Sequence, residues 1–122
     1  MTVRTVTLAE FHEELHAQGV SDFTHAALRC PMCGVAQSIA SLIKAGASME
    51  EAERKIGFSC VGRLTGAGSP RREPDGLPCN WTLGGLFALH KLEVVTPDGK
   101  VHPRFEPATP EEAQALERRN AP

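Results

Sequence analysis

Four cysteines carry the one residue pattern in this chain with a definite chemistry. Cys30 and Cys33 sit two residues apart in Arg29-Cys30-Pro31-Met32-Cys33-Gly34, and Cys60 and Cys79 follow after gaps of 26 and 18 residues. A C-x-x-C closed by glycine is half of a structural zinc site. Its tight turn aims backbone N–H groups at the sulfurs, and Gly34 can take the positive φ that the turn requires. Cys60 and Cys79 form no knuckle of their own, so each must be delivered separately. Together Cys30, Cys33, Cys60 and Cys79 predict one structural Zn2+ in an all-thiolate tetrahedron, with His90 and His102 as reserve ligands. Four thiolates close the shell, whereas a catalytic zinc keeps a position for water. The ligand set does not separate zinc from iron. A second use of C-x-x-C is a thioredoxin-like redox pair, which wants the motif at a helix start within a βαβ unit. The plain alternative is four unrelated buried thiols.

Other chemistry is sparse. Arg63, Arg71 and Arg72 form the one basic cluster, in a glycine-containing loop, and are candidate contacts for an anion or a partner surface. Glu73 and Asp75 dilute their field. His12 and His16 have the i, i+4 spacing of a helical metal pair, but they flank Glu13 and Glu14 and read as solvated. There is no Gly-x-Ser-x-Gly, no Walker-type phosphate loop and no His-Glu-x-x-His. No catalytic residue is assigned, and an enzyme is the least supported class.

The elements that must position the cysteines read as follows. Thr2 to Thr7 is a short strand, and Thr7 with Glu10 is a capping box for an amphipathic helix over 8–18 ended by Gly19. Asp22 to Arg29 is expected to be a strand entering the knuckle. Val35, Ile39, Leu42 and Ile43 predict a helix that starts directly after Gly34 and stops at Gly46. Ser48, Glu50, Glu51, Arg54 and Lys55 mark a further helix with charges matched to its dipole. Leu64 to Pro78 is turn chemistry throughout, then Trp81, Leu83, Leu86, Phe87 and Leu89 promise dense core. Lys91 to Val95, Asp98-Gly99 and Lys100 to Phe105 predict a β-hairpin. Thr109-Pro110-Glu111-Glu112 caps a helix to about Arg118, expected to be weakly docked.

The 122 residues make one small α+β domain, residues 1–108, with 109–122 as a short helical tail. Five Phe, one Trp and no Tyr give a modest core, the setting in which a structural metal contributes most. A formal charge of −2 supplies no global field for nucleic acid or an anionic membrane. The N-terminus lacks a signal pattern and no apolar run is long enough for a span, so a cytoplasmic protein is expected, where cysteines favour metal over disulfides.

Three segments carry a resemblance: Arg29-Cys30-Pro31-Met32-Cys33-Gly34, then Gly57-Phe58-Ser59-Cys60-Val61-Gly62-Arg63-Leu64-Thr65-Gly66-Ala67-Gly68-Ser69-Pro70, then Pro78-Cys79-Asn80-Trp81-Thr82-Leu83-Gly84-Gly85-Leu86-Phe87. In these the chain resembles an uncharacterised family of short proteins encoded largely in bacteriophages and prophages. The resemblance implies an accessory protein of a phage or mobile element at work in a bacterial cytoplasm, and it implies no catalytic activity. The expected role is a zinc-stabilised protein-binding module that modulates a host defence or host machine. The alternative is a nucleic-acid-binding zinc module using Arg63, Arg71, Arg72 and Lys91.

Overall fold

A computed structural model describes residues 3–69, 76–83 and 90–120. Its elements are short and mixed, as expected for an α+β domain. Strand β1 (Arg4–Thr7) leads straight into helix α1 (Leu8–His16). The Thr7–Glu10 capping box is present in both directions, and the helix ends at Ala17, two residues before the predicted Gly19. Strands β2 (Leu28–Arg29) and β3 (Ala36–Gln37) flank the knuckle, followed by α2 (Ile39–Lys44), α3 (Met49–Lys55) and the four-residue α4 (Gly62–Thr65). The predicted hairpin is β4 (Leu92–Val95) with β5 (Val101–Arg104), and β6 (Glu106–Pro107) and α5 (Pro110–Asn120) complete the order.

Among the described residues these form two three-stranded sheets, β1-β4-β5 and β3-β2-β6. In the first, β4 is central, parallel to β1 with Arg4 opposite Leu92, and antiparallel to β5 with Val95 opposite Val101. Leu92 and Val94 point inward with little exposure, the period-2 pattern of a strand covered on one face. Pro103 and Pro107 both lie on edge strands, where a missing N–H interrupts no ladder. Phe105, fully buried, stacks on Trp81 with ring centroids 6.0 Å apart. Phe11, Leu28, Leu83, Leu92, Val94, Phe105 and the four cysteines form one continuous core. Each large side chain there contributes about 1.5–3 kcal/mol of burial. Among the described residues, no helix is long and apolar enough to cross a membrane.

Three expectations are corrected. Asp22 to Arg29 is not one strand. The Asp22 carboxylate caps a 3₁₀ turn over Phe23–His25 by accepting from the Thr24 N–H at 2.9 Å, and only Leu28–Arg29 is extended. The helix after Gly34 starts late, because Ala36 and Gln37 first pair with β2 and Ser38 then caps α2 through Ser41. The periodicity of Val35 with Ile39 was coincidental: a residue paired in a ladder cannot also make helical bonds. The C-terminal helix is docked rather than loose, since Ala113 and Leu116 are buried against Ala27 and Ala108. Its ties include the Arg29–Glu112 ion pair, a 2.8 Å bond from the Gln114 amide to the Gln18 carbonyl, and one of 3.0 Å from Asn120 to the Ser41 hydroxyl. Arg71, Arg72, Leu86, Phe87 and Leu89 lie outside the described residues.

Candidate metal centre

The first two sulfurs come from the turn of the β2–β3 hairpin. The Gly34 N–H donates to the Cys30 carbonyl at 2.9 Å and the Cys30 N–H to the Val35 carbonyl at 3.2 Å, with Gly34 at φ 76°. Val35 and the strand after it are therefore returned beside β2, and Cys30 and Cys33 are left facing one side. The other two come from segments far apart in sequence that pair antiparallel. Ser59 bridges Thr82, the Cys60 N–H donates to the Trp81 carbonyl at 2.9 Å, and the Leu83 N–H to the Phe58 carbonyl at 2.9 Å. This pairing does for Cys60 and Cys79 what two intervening residues do for Cys30 and Cys33. The second half of the site is thus divided between two segments joined at an isolated bridge.

All four sulfurs are buried and lie within 4.8 Å of one another. The Cys30–Cys79 separation is 3.8 Å and the Cys33–Cys60 separation 3.7 Å. A disulfide would need about 2.05 Å. A tetrahedron with metal–sulfur bonds of about 2.3 Å has sulfurs about 3.8 Å apart. The spacing thus fits four ligands on one ion and no covalent pair, and the site can hold a metal.

The surroundings favour ionisation of one thiol over its neighbours. The contact with Cys60, together with burial, pushes the Cys30 thiol up, opposed by the N–H groups of Cys33 and Met32. The same contact pulls Cys60 down to about 4 against its burial, helped by the Gly62 N–H, the Gln37 amide and the Cys79 N–H. Burial raises Cys79 to about 11, with the Trp81 N–H acting the other way. Four thiolates at this spacing repel one another, and a cation among them is what lets them ionise together.

Two supporting residues escaped the sequence reading. Gln37 is fully buried. Its amide nitrogen is 3.5 Å from the Cys60 sulfur and 3.3 Å from the Val35 carbonyl, and its oxygen accepts the Val61 N–H at 2.6 Å. One side chain thereby ties the first knuckle to the second. Gly62 opens α4 against the Cys79 backbone so closely that a Cβ there would lie 2.1 Å from the Cys79 carbonyl oxygen. The available signal was a glycine two residues past a ligand cysteine, in Cys60-Val61-Gly62.

The remaining predicted residues are elsewhere. Among the described residues, the cluster contains only the four cysteines. His90 is 3.2 Å from the Glu93 carboxylate, and His102 sits on β5 opposite Val94. Arg63 donates to the Asn80 carbonyl at 2.8 Å, which holds the backbone next to Cys79. The C-x-x-C opens onto a strand, so the helix-start setting of a redox dithiol is missing. No curated protein and no solved structure matches the chain. A family model does match, over residues 7–108, from the α1 cap through every cysteine to the end of β6, and by that match the chain belongs to the VVA0879-like family.

Proposed function

We propose that Cys30, Cys33, Cys60 and Cys79 hold one structural Zn2+, and that the domain so stapled is a binding module. The observation that carries this is the set of four buried sulfurs within 4.8 Å of one another, with pairs 3.7 and 3.8 Å apart as around one tetrahedral ion. An ion with four thiolate ligands has no position left for substrate or water, so its contribution is folding free energy. Its partner is a host or phage protein, and the module serves as an accessory factor of a phage or mobile element in the bacterial cytoplasm, acting on a host defence or host machine. The motif resemblance supports the mobile-element setting. The partner surface is supported by Leu77, 58% exposed near the end of the Leu64–Pro78 segment.

Nucleic acid is the second reading, through Arg63, Arg71, Arg72 and Lys91. Arg63 already donates to the Asn80 carbonyl, which favours a structural use of its guanidinium. Two measurements test these assignments. Metal analysis with a thiol count is expected to give one zinc per chain and four thiols that react only after unfolding and chelation. Four freely reactive thiols without metal would overturn the zinc site. Binding to DNA or RNA that weakens steeply with added salt would replace the protein partner by a phosphate backbone.

A further inference from the structure

Away from the cysteines, α1, the 3₁₀ turn, β2, α2 and the end of α3 enclose a groove of about 410 Å³. That lies within the range of about 300–1,000 Å³ typical of small-molecule sites. Its walls are mainly apolar, with Phe11, Leu15, Leu28, Ile39 and Ile56 contributing, and Phe23, 65% exposed, stands at the edge. Arg104 from β5 lines the same groove. Its guanidinium donates to the Pro103 carbonyl at 2.7 Å and lies 5.9 Å above the Phe58 ring, and it forms no ion pair with a described carboxylate. A guanidinium has five N–H donors, so most remain open for an anion. Burial pulls its pKa down, which is the cost of a cation held without a counter-ion.

The other ionisable groups on the groove are His12, His16 and Asp22. The two histidines share the groove side of α1 and add positive charge when protonated. Asp22 is the one acidic group there, and its carboxylate is already engaged by the Thr24 N–H and hydroxyl. An apolar concavity whose wall includes an arginine without an ion pair to a described carboxylate is complementary to one kind of molecule. We infer that this groove binds a small apolar monocarboxylate, its tail among Phe11, Leu15, Leu28 and Ile56 and its carboxylate on Arg104. The site is independent of the zinc assignment and of any protein partner.

The test is an amide chemical-shift titration of the intact protein with octanoate and 3-phenylpropanoate, each against its own alcohol. The acids are expected to shift Leu15, Ile56 and Gly57, and to bind about tenfold tighter than the alcohols, since a charge-assisted bond is gained. Arg104→Met is expected to abolish that preference, bringing the affinities of acid and alcohol together. Equal affinity of acid and alcohol for the unaltered protein would overturn the inference, and this comparison needs no variant. So would the absence of groove shifts at about 5 mM of either acid, about five times a millimolar Kd. Shifts that instead follow protein concentration would assign the groove to a second copy of the chain and equally refute it.

Discussion

Gly62→Ala is the sharpest perturbation of the proposed centre, because it adds one methyl group and alters no ligand. The new Cβ would lie 2.1 Å from the Cys79 carbonyl oxygen and 2.8 Å from both its carbonyl carbon and its nitrogen. Carbon and carbonyl oxygen rest at roughly 3.3 Å, so the two backbones must part by about 1 Å. Both partners are backbone atoms, and no rotamer change relieves the clash. Cys79 would move with its main chain, whereas ligand distances in a metal site hold to about 0.2 Å. Overpacking by itself costs about 1–3 kcal/mol, and the weakening of one thiolate bond adds to that. We expect Gly62→Ala to lower the melting temperature by roughly 5–15 °C, since 1 kcal/mol shifts a domain between the 60–100- and 150–250-residue classes by about 4 °C. We also expect one thiol per chain to react in the native state. Gly68→Ala, where a Cβ meets nothing within 4 Å, is the control and should stay within about 0.5 kcal/mol. A Gly62→Ala protein with four protected thiols and an unchanged melting curve would refute the close approach and the coupling of Cys79 to α4.

Cys33→Ser should aggregate or unfold rather than persist as a folded metal-free domain, because structural zinc supplies on the order of 10 kcal/mol; gel filtration and melting decide it. Gln37→Leu keeps the volume but leaves the Val61 N–H without its acceptor and removes a donor to Cys60. A loss of about 2 kcal/mol in denaturant unfolding is expected, with the proposed metal released to a chelator about tenfold more readily. Glu112 is pushed up by burial, but the Thr109 N–H and Arg29 outweigh this and hold it below the ordinary carboxylate range. Its stabilisation is therefore present above the unfolded-state pKa and lost as pH falls through the lower folded value. Amide exchange at Ala113 and Leu116 should rise across that acid window, and Glu112→Gln should show the faster exchange already at neutral pH.

Local signals were read correctly wherever neighbours in sequence decide the outcome. The Thr7–Glu10 box, the Ser48 cap and the Asp98-Gly99 turn are all present where side chain and backbone meet within four residues. The Cys30–Cys33 turn belongs with them. Long-range pairing was not legible. That β1 lies parallel to β4 depends on partners nearly ninety residues apart, with Val6 opposite Val94, and no local pattern encodes that register. The docking of α5 was missed for a related reason. Its buried face consists of Ala113 and Leu116, too few apolar residues to signal a core helix, and its anchoring comes from Glu112, Gln114 and Asn120 reaching distant partners.

The misread segment after Gly34 has a physical lesson about the site itself. A helix starting there would have offered its N-terminus to the thiolates, a favourable arrangement and one typical of redox dithiols. The chain instead returns as β3, and the N–H groups that reach sulfur come from individual turns: Met32 and Cys33 at Cys30, Gly62 at Cys60, Trp81 at Cys79. A helix N-terminus favours one thiolate over its neighbours and suits a pair that must differ in reactivity. Donors from separate turns are instead spread over Cys30, Cys60 and Cys79. Gln37, bonded to the Cys60 sulfur and to the Val61 N–H, is the fully buried side-chain amide among these contacts. The sheet β3-β2-β6 ends in one half of the centre, while the other half hangs from Ser59–Thr82 beside Phe105. Removing the ion is therefore expected to separate these two units first. Amide exchange in chelator should rise at Cys60, Trp81 and Leu83 before it rises in the β4–β5 hairpin, and simultaneous loss of both would show that the centre is not the joint between them.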